Sequence, residues 1–249
     1  MKKKRYYLLD SLRGITLISM ILYHAVWDLV YIFGVNMPWY QTQAAYMWQQ
    51  SICWTFILLS GFCWSLGKRK LKRGLQVFGA SVLISMVTLI VMPENRVLFG
   101  VLSLIGTAML LMIPLEYIFQ KVHPYVGMLI SFGLFMLTRD ANDGCLGIGN
   151  KAWFVLPDAW YANWLTAYIG FPAADFWSTD YFPVIPWIFL YWTGYFLYRA
   201  ADRYKCMHWF SGFRIRFLEA VGRHSLEIYL LHQPVIYGVL YVIFMIATK

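Results

Sequence analysis

Asp10, Arg13, His24 and Asp28 stand in an otherwise apolar stretch near the start of the chain. At 100° per residue, the eleven positions from Arg13 to His24 return to within about 20° of the same helix face. Asp10 lies one turn before the arginine and Asp28 one turn after the histidine, so a helix would carry all four on one stripe. Arg13 and His24 would sit about 16 Å apart along its axis. This set suits proton transfer: an imidazole to take the proton, a carboxylate at i+4 to hold it in one tautomer, and a cation for an anionic group. The plainer alternative makes Asp10 and Arg13 an interfacial ion pair and leaves His24 to bond a neighbouring helix.

A second polar set opens the last apolar stretch, Gly222 to Pro234. Helical spacing puts Ser225, Tyr229 and His232 along one face, while Glu227 points elsewhere, towards Arg223 or His224. Pro234 removes a backbone donor, and neighbouring side chains can satisfy the carbonyl it frees. His232 is a candidate for chemistry, with helix-to-helix packing as the alternative. Asp180, just before Tyr181-Phe182-Pro183, is a candidate substrate contact, although a turn role competes. No metal is expected, because H-x-x-x-H, H-E-x-x-H and Cys/His clusters are absent. Walker A, G-x-G-x-x-G and G-x-S-x-G motifs are missing too.

The elements that must position these residues are set by composition. Hydrophobic residues make up 60% of the 249 and charged residues 13%, about half the ~25% a water-facing domain carries. A single domain of several membrane spans, residues 1–249, accounts for this. Crossing roughly 30 Å of hydrocarbon takes about 20 apolar residues, and seven stretches qualify as candidates: 7–34, 43–67, 74–93, 97–120, 124–138, 182–200 and 222–247. The fifth is short. The fold class is therefore an all-α polytopic helix bundle of about seven spans in a cell membrane, with the first span retained rather than cleaved.

Basic residues orient it. Lys2-Lys3-Lys4-Arg5, the 68–73 run, Lys121 and the 199–223 segment put 16 Lys and Arg on one side against four on the other. The N-terminus is then cytoplasmic, and residues 139–181 form one long extracytoplasmic loop. Within it Trp160, Trp164, Tyr168 and Ile169 recur at helical spacing, which suits either a short interfacial helix or an aromatic belt. The net charge of +9 follows from the same topology, and no basic soluble domain is present to bind nucleic acid.

Leu9-Asp10-Ser11-Leu12-Arg13-Gly14, the ten residues between Arg13 and His24, and Asp28 after it resemble the first helix of the transmembrane acyltransferases. More closely, the chain resembles bacterial members of the heparan-α-glucosaminide N-acetyltransferase catalytic-domain family. The likeness continues through Phe56-Ile57-Leu58-Leu59-Ser60-Gly61, Lys72-Arg73-Gly74, Phe99-Gly100-Val101-Leu102, Asp180 to Trp187, and Gly222 to Pro234. The chain departs from the lysosomal branch in having no histidine in residues 33–44, and from many bacterial relatives in having Ser103 where they carry a histidine.

The resemblance implies an enzyme that takes an acetyl or short acyl group from cytosolic acyl-CoA to an extracytoplasmic amino sugar or glycan, without a metal. It leaves open both the acceptor and the choice between an acyl-histidine and direct transfer. On that reading His24, supported by Asp28, is base or acyl carrier, and Arg13 holds the donor at the inner mouth beside Asp10. His232 is a further catalytic candidate; Ser225, Tyr229 and Asp180 contact substrate; and Lys68, Arg69, Lys72 and Arg73 attract the CoA phosphates. A second copy of the chain stands among the candidate partners, alongside the lipid bilayer. The rivals are a small-molecule or proton-coupled transporter, which also needs ionisable groups within spans, and a noncatalytic membrane partner.

Overall fold

The computed structural model describes residues 6–149, 151–212 and 214–247. The N-terminal basic run Lys2–Arg5 therefore lies outside the described residues. The chain is mostly helical. In order, the helices are α1 (Tyr7–Tyr31), α2 (Gln43–Phe62), α3 (Lys70–Val91), α4 (Val101–Phe119), α5 (Pro124–Leu137), α6 (Trp164–Ile169), α7 (Val184–Arg203), α8 (Trp209–Gly212), α9 (Arg216–Arg223) and α10 (Ser225–Ala247). Each of the seven expected apolar stretches coincides with one of them. Among the described residues four helices, α1, α3, α4 and α10, are long and apolar enough to cross a membrane. α5 has 14 residues, which rise only about 21 Å and fall short of the hydrocarbon thickness.

Among the described residues the departure from an all-α chain lies between α5 and α6. Strands β1 (Cys145–Ile148) and β2 (Lys151–Val155) pair antiparallel, with Cys145 opposite Val155 and Ile148 opposite Lys151, and a bulge after Leu146. Gly149 takes a left-handed φ of 64° where the chain reverses, a conformation glycine adopts without steric cost. The 139–181 segment is thus folded in large part. It also holds α6, which Asn163 and Thr166 start with a reciprocal capping box.

Two compact units make up the chain, Met1–Phe56 with Lys205–Lys249, and Ile57–Tyr204. The first is built on α1, α9 and α10. Its glycines are where backbones meet: a Cβ on Gly14 would lie 2.2 Å from the Leu218 carbonyl oxygen, and one on Gly222 would lie 1.9 Å from that of Asp10. Small residues allow such close helix crossings in an apolar solvent, and these two pin α9 antiparallel against the first turns of α1. Leu17, Met20 and Ile52 form a core there, with Val221, Ile228 and Tyr229 packed on it. Further along, Ile236 is the one buried residue of α10, and Leu231, Val235, Val239, Val242 and Ile246 are exposed, an apolar surface suited to lipid.

The second unit packs α3 on α4 and α5 on α7. Gly61 of α2 lies against the Tyr191 carbonyl, and Gly194 of α7 against that of Leu58. The Arg199 guanidinium closes the end of α4, donating to the carbonyls of Phe119, Gln120 and Val122, a favourable place for a cation.

Candidate active site

In the first unit, α1 and α10 bring polar side chains together in two adjoining rungs. In one, the rings of His24 and His232 meet edge to face with centroids 4.9 Å apart. In the other, the Gln233 amide donates through Nε2 to Asp28 Oδ1 at 2.5 Å. Asp28 is completely buried. The structure thus joins His24 of the first polar stripe to His232 of the second, and Asp28 to the adjoining Gln233, from opposite ends of the sequence.

The His232 ring is fixed by its own helix. Its Nδ1 lies 2.5 Å from the Tyr229 carbonyl oxygen, and a carbonyl can only accept. In the neutral ring the proton is therefore on Nδ1, which leaves the lone pair on Nε2. That Nε2 is buried and without a partner among the described residues, as are Asp28 Oδ2 and Gln233 Oε1. Buried polar atoms are nearly always hydrogen-bonded. Three unpartnered acceptors here make a site fitted to a group that brings donors with it.

One local expectation is corrected. Asp28, one turn beyond His24, does not hold that imidazole: among the described residues its carboxylate accepts from Gln233, and the ring contacts of His24 are to Tyr23 and His232. The carboxylate is turned across to α10, where an amide donor is at hand. Gln233 is a residue that sequence reasoning does not single out, since a neutral amide carries no charge. The signal was an amide within an apolar span, which needs a partner for the same reason a charge does.

Arg13 and Asp10 form an ion pair at 2.9 Å, both partly buried, close to where Gly222 meets α1. This is the arrangement of the plainer alternative; Arg13 remains at the start of α1, far along the axis from the histidines. Ser225 opens α10. The Tyr229 ring packs 5.3 Å from that of His232, so Tyr229 belongs to the face that carries the histidine. Nearby on α9, the buried Glu219 pairs with Arg214 at 3.0 Å, whose guanidinium also lies over the Tyr7 ring.

The remaining candidates are in the second unit. Lys68, Arg69, Lys72 and Arg73 are all exposed, and Arg69 has a left-handed φ of 56° as it leads into α3. Lys70, in the middle of the run, is held by Glu116 and covers the Trp64 ring.

Asp180 has a structural task. Its Oδ2 accepts from the Val101 N–H at 3.3 Å, which caps the first turn of α4, a favourable place for an acid. Ser178 bonds both backbone groups of Leu98, and the Phe182 N–H bonds the Phe99 carbonyl. Burial pushes the Asp180 carboxyl up to about 6, partly offset by the Val101 hydrogen bond.

The family model for "Heparan-alpha-glucosaminide N-acetyltransferase, catalytic" matches residues 5–234, a span that contains both rungs. The chain belongs to the heparan-alpha-glucosaminide N-acetyltransferase catalytic family. No curated protein and no solved structure matches it. Family membership and the apolar helices make this a membrane protein of an acetyltransferase family. The match stops at Pro234, directly after His232 and Gln233, and leaves out the rest of α10.

Proposed function

We propose that the protein is a multi-pass enzyme of the cell membrane that transfers an acetyl or short acyl group from cytosolic acyl-CoA to an extracytoplasmic amino sugar or glycan. The observation that carries this reading is the contact between His24 and His232 beside the hydrogen bond from Gln233 to the buried Asp28, inside the span that matches the acetyltransferase family.

The chemistry needs few groups. The acceptor's amine or hydroxyl attacks the thioester carbonyl, a C–N or C–O bond forms, and the C–S bond breaks. The acceptor's proton passes to an imidazole and the thiolate leaves with CoA. His24 is proposed as base or transient acyl carrier, with His232 Nε2 beside it and the Asp28 carboxylate balancing the positive charge that develops. Arg13, with Asp10, steadies the donor; Ser225 and Tyr229 line the histidine's face on α10. Lys68, Arg69, Lys72 and Arg73 meet the CoA phosphates. Asp180 acts through α4, whose first turn it caps, and so shapes any substrate contact indirectly. On this reading the chain acts as one domain with seven spans, a cytoplasmic N-terminus and residues 139–181 outside.

The test is thioester consumption by purified, monodisperse protein in proteoliposomes. Free CoA should appear with acetyl-CoA only when an amino sugar or glycan is also supplied, and the acyl group should be recovered on the acceptor. Solute uptake with no thioester loss would replace the proposal with a transporter. Neither activity would leave a noncatalytic partner.

A further inference from the structure

Among the described residues the completely buried carboxylate of Asp28 has no ion-pair partner, and the Gln233 amide donates to it at 2.5 Å. The nearby His232 Nδ1–H is already spent on the Tyr229 carbonyl. Among the described residues Gln233 is the side chain that donates to the carboxylate, and so it sets which way the carboxylate turns. Only the amide nitrogen can donate to an ionised carboxylate, so Nε2 must face Asp28, and Oε1 is left buried and unpartnered. The second carboxylate oxygen, Oδ2, is likewise without a donor.

We propose that Gln233 is a positioning residue for acyl transfer: it anchors one oxygen of Asp28 across from α10 and keeps the other free to stabilise the positive charge that arises on the His24–His232 pair. This rests on the acyltransferase reading given above. A carboxylate saturated with hydrogen bonds in the resting state has little to gain when the imidazole takes its proton. One held by a single neutral amide gains a great deal, because the new charge appears one helical turn away in a medium of low dielectric. An interaction that strengthens only as charge develops lowers the barrier rather than tightening ground-state binding. The competing explanation is that Asp28 and Gln233 merely glue α1 to α10, as polar pairs between membrane helices do.

Exchanging the partners separates the two. Gln233→Leu removes the donor. The double variant Asp28→Asn with Gln233→Glu rebuilds one N–H···O⁻ bond between the same two helices, with the carboxylate moved to α10. The assays are acetyl-transfer kcat and KM, thermal unfolding in detergent, and the ¹⁵N resonances of His24 and His232. Gln233→Leu should lower kcat on the order of tenfold, less than the ~10²–10⁴-fold attached to losing a base outright, with the acyl-CoA KM unchanged. It should also shift the ¹⁵N signals of both histidines. The exchanged pair should regain thermal stability relative to Gln233→Leu without regaining kcat. Recovery of kcat together with stability would reduce the pair to glue and overturn the proposal, as would histidine signals that do not move in Gln233→Leu. Should the wild-type protein transfer no acetyl group, the parent reading fails at that step. The histidine resonances then still decide whether Gln233 positions Asp28.

Discussion

Asp28 and Asp180 stood together as candidate functional acids, and their surroundings separate them. Asp180 is tied into backbone: it accepts from the Val101 N–H, and its neighbours Ser178 and Phe182 bond residues 98 and 99. Asp28 is tied to one side chain and keeps an oxygen with nothing to accept. A carboxylate on a helix N-terminus lowers the energy of a fold by supplying an acceptor that the first turn lacks. A buried carboxylate with an unused oxygen costs stability, and retaining it makes sense where charge or donors arrive during a reaction. An acid's type and its place in the sequence did not distinguish these two tasks; what its oxygens accept does.

Between these two acids, the larger effect is expected on turnover. Asp28→Asn should cut acetyl transfer by on the order of tenfold to a hundredfold, below the ~10²–10⁴-fold loss of a positioned base, because the imidazoles remain while the charge support goes. Asp180→Asn should leave kcat within about twofold, since an asparagine oxygen can still cap α4. Comparable losses in both variants, measured on monodisperse protein, would erase the distinction.

A smaller effect concerns the basic run ahead of α3. Replacing Lys68, Arg69, Lys72 and Arg73 together with Gln should weaken CoA binding several-fold, and more at low salt, since exposed charges are screened. Lys70 is left in place because it is engaged with Glu116. Thermal protection by acetyl-CoA is the readout; equal protection would return the cluster to a purely topological role.

The smallest effect is on stability alone. Asp180→Ala should cost about 1 kcal/mol through the lost cap. The pH dependence has a definite sign. With the folded carboxyl raised to about 6 from its ordinary 3.8, the folded state holds its proton more tightly, so this group's contribution is full below about 4 and is lost as pH rises through 6. Unfolding temperatures taken from pH 4 to 7 should therefore fall less in Asp180→Asn than in the wild type. A steeper fall in the variant would contradict the assignment.

Much of the helical frame was legible from hydropathy and length. The seven apolar stretches all coincide with helices, and Asn163 before Trp164 is an ordinary start signal. The hairpin went unread although Gly149-Asn150 between Leu146-Gly147-Ile148 and Trp153-Phe154-Val155 is a hairpin spacing; the surrounding aromatics suggested only a helix or a belt. In the site, His24 and Asp28 stood out as expensive polar groups in an apolar stretch. The contact of His24 with His232 was not legible, since helical periodicity gives the face a residue occupies and never the partner across from it. Gln233 was missed for a related reason: a neutral amide carries no charge to mark it, and its importance exists only once α10 lies beside α1.

The central claim, that the paired histidines are where the acyl group is transferred, is tested most directly by single-turnover acetyl transfer in His24→Ala and His232→Ala, with acyl-CoA binding assayed separately. His24→Ala should lose ~10²–10⁴-fold in the chemical step while binding the donor normally, and His232→Ala should fall between it and the wild type. Near-normal transfer in His24→Ala beside an inactive His232→Ala would move the base to α10. Near-normal transfer in both would contradict the account.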